Sequence, residues 1–260
     1  MSIRVDLDAA GRALVTIDRP AVLNALDAVH SRRLQRVWDD LERADGVRVV
    51  ILTGSGTRAF CAGADMKAEG AQDESVDYLN RRDPAGFGAI SLRRTLGVPT
   101  VARVNGVALG GGFEMVLGCD LAVASEDASF GLPEALVGRV PLDGGVPLLA
   151  RALPPKIAAE VLLAGRRLTA DEALGWGLVN RVVAADALDD AVDELTAGLL
   201  AAAPLSQRAI KDMLSLGDGL DVAAAHAHAP PSLLRALASE DGREGVLAFR
   251  ERRAPSWQGR

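Results

Sequence analysis

The chain has 260 residues, 49% of them hydrophobic and 3% aromatic, with a formal charge of −6. That length can bury a sizeable core, in one large domain or one domain with an appendage. Charges of both signs are mixed, no basic block is interleaved with aromatics, and no apolar run reaches the roughly 20 residues of a membrane span, which argues against nucleic-acid and membrane partners. Cys61 and Cys119 fit no metal or redox spacing and the N-terminal residues show no signal-peptide core, so a reduced, cytoplasmic protein is expected.

In chain order, residues 3–7 and 13–17 read as short strands about a turn at Asp8–Gly11. Residues 24–45 have helical spacing that lets Leu26, Val29, Leu34, Val37, Trp38 and Leu41 share a face, with His30 expected at the surface. Val47–Gly54 is a near-continuous apolar run ended by glycine, the pattern of a buried strand. It leads into G-x-G-x-x-A, which imitates a dinucleotide fingerprint, but neither the helix nor the acid that motif needs follows, so a turn is expected. Residues 68–83 lose periodicity and predict a mobile surface loop; residues 85–96 regain helical spacing. Val98–Val104 and Asp120–Ser125 read as further buried strands, and Thr169 with Glu172 forms a capping box. From about residue 186 the chain is nearly all helix, broken at Pro204 and at Pro230–Pro231. Strands alternating with helices, then helices alone, predict an α/β core with a helical extension.

Several stretches could carry chemistry, and each also has a plain structural reading. Ala62, Gly63 and Ala64 precede Asp65: a tight turn into a helix cap, or a bare Ala64 N–H facing a substrate oxygen. Gly110–Gly112 open a helix: close packing, or free N–H groups and a positive dipole end presented to a ligand. No Gly-Lys-Ser/Thr follows, so a P-loop is excluded. Glu114 has apolar neighbours on both sides, which favours burial, whereas Glu134 after Pro133 alone would pass for an ordinary helix start. His226 and His228 are two apart and cannot share a helix face, so no metal site is expected. No G-x-S-x-G elbow is present.

Taken in order, RPAVLNAL (19–26), AFCAGADMK (59–67), NGVALGGGFEMVLGCDLAVAS (105–125), ASFGLPEALVGRVP (128–141), GRRLTADEALGWGLVNRVV (165–183) and AFRERRAPSWQGR (248–260) resemble the enoyl-CoA hydratase/isomerase (crotonase) superfamily, from about Ile3 to Arg260. The resemblance implies an α/β fold: a crotonase-like spiral of ββα units over residues 1–200, and a C-terminal helical trimerisation region over 201–260. It implies a homotrimer or a dimer of trimers, an acyl-CoA thioester substrate, and no cofactor beyond the coenzyme A that is part of that substrate. It places oxyanion-hole donors at Ala64 and Gly111 and the two hydratase glutamates at Glu114 and Glu134. It also lines the CoA channel with Ala21, Val22, Leu23, Ala62, Asp65, Met66 and Lys67, with Lys67 and Arg260 as partners for CoA phosphates. Two departures stand out: Ala21 occupies a position that is often lysine in the family, and residues 140–149 replace the commoner glycine-rich version with one that carries Asp143.

The chemistry stands beside the resemblance. Adding water across a conjugated C=C needs a base for the water, an acid for the α-carbon and donors for enolate charge. The expected roles are Glu114 ionised as base and Glu134 protonated as acid, with coupled titrations. Hydration of a 2-enoyl-CoA is therefore the expected activity; a Δ3,Δ2-isomerase, a CoA-thioester hydrolase and a non-catalytic acyl-CoA-binding scaffold are the alternatives. Residues 152–183 and the C-terminal block look most like the carnitinyl-CoA dehydratases of the superfamily. A trimethylammonium acyl group would want an aromatic or anionic cage, for which Tyr78, Phe87 and Asp143 are candidates.

Overall fold

The computed structural model describes residues 2–68, 83–217 and 219–260. Strands β1 (Ile3–Leu7) and β2 (Arg12–Ile17) form the expected antiparallel pair. Asp8 closes their turn by accepting the Ala10 and Arg12 N–H groups, both at 2.9 Å. Parallel to β2 run β3 (Val49–Gly54), β5 (Thr100–Val104), β7 (Leu121–Ser125) and β10 (Arg181–Val183), giving a six-stranded sheet in the order β1-β2-β3-β5-β7-β10. Every residue of β3 is buried, as a strand covered on both faces requires.

A second sheet holds β4 (Ala59–Cys61), β6 (Val107–Leu109), β8 (Ser129–Gly131) and β9 (Leu168–Thr169) in the order β4-β6-β8-β9. The chain leaves β3 for β4, β5 for β6 and β7 for β8, so each pass adds one strand to either sheet. Two buried asparagines fasten these crossings. Asn24 donates to the carbonyls of Ser55 (3.0 Å) and Ala59 (2.8 Å), and Asn105 to those of Gly56 (2.7 Å) and Ala59 (3.1 Å).

Helix α1 (Ala28–Arg43) starts where Asp27 accepts the Val29 and His30 N–H groups. Leu34, Trp38 and Leu41 are its buried face. Two expectations fail here. Leu26 lies before the helix, bridged to Ala64, and Val29 is 63% exposed, on the side of α1 away from Leu34, Trp38 and Leu41. His30 is not a free surface residue either: it is half-buried between Asp27 (2.7 Å) and Ser2 (2.6 Å). The helix expected over 85–96 is reduced to a 3-10 turn at Phe87–Ala89, since Gly86 and Gly88 take φ of +70° and +59°. The loop expected over 68–83 falls, for 69–82, outside the described residues.

Among the described residues the remaining α-helices are α2 (Gly111–Gly118), α3 (Gly145–Ala152), α4 (Pro155–Ala164), α5 (Ala170–Gly175), α6 (Leu188–Leu200), α7 (Pro204–Gly217), α8 (Val222–Ala227), α9 (Pro231–Ala238) and α10 (Glu240–Glu251). The Thr169–Glu172 capping box opens α5 as expected. The core between the sheets centres on Trp38, Phe60, Phe113 and Phe130, the last two with ring centroids 5.4 Å apart. On the other face of the large sheet, Leu188, Ala191 and Val192 of α6 cover Val49, Ile51, Val101 and Val123.

Candidate active site

The site grows from the turn after β4. One edge of this turn is tied to the chain at 23–26: the Ala62 N–H donates to the Leu23 carbonyl (3.0 Å), the Leu26 N–H to Gly63 (2.9 Å) and the Asp65 N–H to Leu26 (2.9 Å). Backbone groups alternate sides along an extended segment, so the Ala64 N–H faces away from that edge. Gly63 takes φ +90°, and a Cβ there would lie 2.9 Å from the Leu109 carbonyl and 3.2 Å from the Gly111 nitrogen. The turn therefore rests directly on the start of α2. The Gly111 N–H belongs to the first turn of that helix and has no i−4 carbonyl to bond. Two amides with no strand or helix partner thus stand side by side at a helix N-terminus.

Each of the three consecutive glycines has its own reason. Gly110 takes φ +53°, and a Cβ on it would sit 2.8 Å from Glu134 Oε1. On Gly111 a Cβ would strike the Phe87 ring at 2.4 Å, and on Gly112 it would strike the Cys61 carbonyl at 2.0 Å.

Glu114 lies one turn into α2 and is 2% exposed. Its Oε1 accepts the N–H groups of Asp143 (3.0 Å) and Gly145 (2.8 Å). Burial raises its pKa most; the Gly145 N–H opposes this, the charges of Asp143 and Glu134 push it further up, and the net result is about 8. Glu134 follows Pro133 in the 3-10 turn Pro133–Val137 and is half-buried. Burial raises its pKa too, with its own backbone N–H opposing. Glu134 Oε2 is buried and has no hydrogen-bond partner among the described residues. The structure thus brings both acids to the start of α2, beside the two amides. Both carboxyls are thus shifted toward the protonated form, and the charge on Glu134 is among the causes that raise Glu114, so the two titrate as a coupled pair.

The residues expected along a CoA channel divide into two groups. Ala21, Val22 and Leu23 form the 3-10 turn Pro20–Val22 and its left-handed end, and Leu23 meets Ala62. Met66 and Lys67 are exposed just beyond the Ala64 turn. The Asp65 carboxylate is already engaged, 3.1 Å from Arg19, which also pairs with Asp27 at 3.3 Å. Arg260 is not brought to this cluster. Its side chain pairs with Glu240 (3.2 Å) and its carbonyl accepts the Glu240 N–H (2.8 Å). Nearby, Trp257 donates to the Ala201 carbonyl (2.8 Å), beside the Leu200 and Ala202 carbonyls that bind Arg48, at the end of β3 opposite Gly54.

One cation escaped the sequence reading. Arg58 donates to the Pro20 carbonyl (2.9 Å) at a cavity of about 280 Å³ lined by Pro20, Leu23, Asn24 and the 55–59 turn. Its signal was adjacency: a lone basic residue immediately before the AFCAGAD block. Phe87 and Asp143 do meet the site, since Phe87 covers Gly111 and the Asp143 N–H donates to Glu114 Oε1 (3.0 Å); Tyr78 lies outside the described residues. His226 and His228 are exposed on and after the short α8, and no cluster of three metal-ligating groups occurs among the described residues. Cys61 lies beneath the turn with its thiol pushed up to about 12 by burial.

The family described as enoyl-CoA hydratase/isomerase matches residues 8–260. The carnitinyl-CoA dehydratase of Proteus mirabilis (strain HI4320) is 41% identical over 265 residues, covering 100% of both chains. That of Escherichia coli (strain K12) is 42% identical over 250 residues, covering 95% of this chain and 94% of the relative. The crystal structure of enoyl-CoA hydratase from Mycobacterium tuberculosis H37Rv superposes with a TM-score of 0.89 at 34% identity, covering 100% of this chain and 99% of that one. The chain belongs to the enoyl-CoA hydratase/isomerase family and has its crotonase-like spiral fold.

Proposed function

We propose that this protein is an enoyl-CoA hydratase that adds water reversibly to a 2-enoyl-CoA thioester, with an acyl preference of the kind named in its carnitinyl-CoA dehydratase relatives. The observation that carries the reading is the pairing of Glu114 and Glu134 about the first turn of α2, where the amides of Ala64 and Gly111 adjoin. The thioester oxygen takes the two N–H groups, which favour the enolate-like charge that develops there. In hydration the water oxygen bonds to the β-carbon, its proton passes to Glu114, and Glu134 gives its proton to the α-carbon. In dehydration Glu134 removes the α-proton and Glu114 protonates the departing hydroxyl. The working pair therefore carries one proton in either direction, and the overall equilibrium fixes the ratio of the two rates. No cofactor besides the CoA of the substrate enters these steps.

In the same reading, Arg58, which donates to the Pro20 carbonyl, and the exposed Lys67 beyond the Ala64 turn serve the CoA phosphates in place of a lysine at Ala21. The helices beyond residue 200 serve self-association into a trimer or a dimer of trimers. The protein works in the cytoplasm; no helix among the described residues is long and apolar enough to cross a membrane. The test is a panel of enoyl-CoA esters, including crotonyl-CoA and a crotonobetaine-type ester, followed by loss of enoyl absorbance and by product mass. Gain of water is expected. An unchanged mass would mean isomerisation, loss of CoA would mean hydrolysis, and binding without turnover would mean a scaffold.

A further inference from the structure

We propose that Arg19 is a positioning residue of the oxyanion site: acting through Asp65, its guanidinium fixes the turn that carries the Ala64 N–H, so that this donor meets the thioester oxygen as charge develops there. The proposal rests on the reading of Ala64 given above. Two segments meet here, the stretch before α1 and the turn after β4, with Leu26 bridged to Ala64 between them. Their shared edge takes up the N–H groups of Ala62, Leu26 and Asp65 and leaves that of Ala64 on the opposite side. Among the described residues no strand pairs with that side of the turn. The side-chain ties come from the next residue instead. Asp65 Oδ2 lies 3.1 Å from Arg19 Nη2, and Asp65 Oδ1 accepts the Lys67 N–H at 3.2 Å.

Arg19 is itself anchored. Its N–H donates to Asn24 Oδ1 at 3.0 Å and its carbonyl accepts the Asn24 N–H at 2.9 Å. Its guanidinium also donates to the Ala25 carbonyl and pairs with Asp27 at 3.3 Å. Asp27 caps α1, whose Leu34, Trp38 and Leu41 are fixed in the core. One planar fork therefore joins a core helix to the residue after the donor. Of the two side chains, 17% of Arg19 and 11% of Asp65 remain exposed, so water screens the pair weakly, and loss of the guanidinium would leave Asp65 without its countercharge. From the other side Gly63 rests on the start of α2, where a Cβ would meet the Leu109 carbonyl at 2.9 Å and the Gly111 nitrogen at 3.2 Å. The turn is gripped between α2 and Arg19. An Asp65 freed to seek water would draw the adjoining peptide away from Gly111. Oxyanion donors act over about 2.7–3.1 Å, and a misplacement of roughly 1 Å costs about 10²-fold in rate.

The test uses Arg19→Gln, Asp65→Asn and the double variant. With crotonyl-CoA, each single variant should lose about 10–10²-fold in kcat with KM within about threefold of the wild type, and the double variant should be no slower than the slower single one. A second readout needs no turnover: the infrared stretch of the ¹³C-labelled thioester carbonyl in bound butyryl-CoA, a saturated ester to which water cannot add. The band should move to lower frequency on binding to the wild type, because the oxyanion donors polarise the carbonyl, and part of that shift should be lost in Arg19→Gln and Asp65→Asn. Variants that only melt at lower temperature, with wild-type kcat and carbonyl frequency, would overturn the proposal, as would losses that multiply in the double variant. If Arg19→Gln does not fold, Asp65→Asn decides by the same two readouts. If crotonyl-CoA is not hydrated, the reading of the activity falls while the carbonyl band still judges Arg19. If butyryl-CoA does not bind to the wild type, or binds with no shift, the oxyanion reading and the role of Arg19 fall together.

Discussion

Glu114 couples function to stability through one proton. Its folded pKa of about 8 lies above the 4.5 of a free glutamate, so between those pH values the unfolded chain has released a proton that the native protein keeps. Stability therefore falls as pH rises through that window, by up to about 1.4 kcal/mol per unit for one fully shifted group. Glu114→Gln keeps the acceptor for both amides and removes the penalty. Denaturant melts should show the variant gaining on the wild type by a few kcal/mol between pH 5 and pH 8; a constant gap would refute the shift. On activity, Glu114→Gln and Glu134→Gln should each lose about 10²–10⁴ in kcat, with circular dichroism unchanged. Near-normal turnover in either variant would remove that residue from the mechanism. The burial of Glu114 was legible in its apolar neighbours, Phe113 and Met115. The extent to which its pKa is raised was not, because exclusion of water by elements distant in the chain, then the charges of Asp143 and Glu134, act across the fold rather than along the helix.

At the scale of elements, the short α2 is built for access rather than for its own stability. Its N-terminal glycine run costs local stability and in return admits the Cys61 carbonyl, the Phe87 ring and the Glu134 carboxyl to the helix start. Gly112→Ala forces a methyl to within 2.0 Å of the Cys61 carbonyl. That overpacking should cost about 1–3 kcal/mol or more and lower the melting temperature by roughly 2–4 °C per kcal/mol. Thr169→Ala, which breaks the capping box of α5 away from the site, should cost about 1 kcal/mol and leave kcat unchanged. Thermal melts with parallel assays separate the two. The box was readable from Thr169 and Glu172 alone because both partners lie within one turn. Strands β4, β6, β8 and β9 were not readable, since two or three residues are too few to show a period.

Across the whole molecule, large apolar side chains are left in water on the helices beyond residue 200. Leu214, Leu234, Leu237 and Phe249 are exposed by 63% to 85%. Patches of this kind mark association surfaces. Leu234 and Leu237 lie three apart on α9 and share a face. Light scattering should report a multimer for the wild type and a smaller species for the Leu234→Asp, Leu237→Asp double variant. A monomeric wild type would refute the assignment of these helices to assembly.

The sequence by itself determined what short-range physics controls: the buried strands, the caps, the helical end of the chain, and the ordered motifs that mark the family. Arg19–Leu26, the AFCAGAD turn and the glycine-led helix were recognisable because each carries its constraint in adjacent residues. Only the tertiary structure decided which of these meet. It set Gly63 against Gly111, engaged Asp65 with Arg19, left Arg260 with Glu240, and laid the Asp143–Gly145 amides on Glu114. Contacts between residues far apart in the chain depend on how two sheets pack, and solvation and neighbouring charge, which place the proton, exist only once that packing is complete.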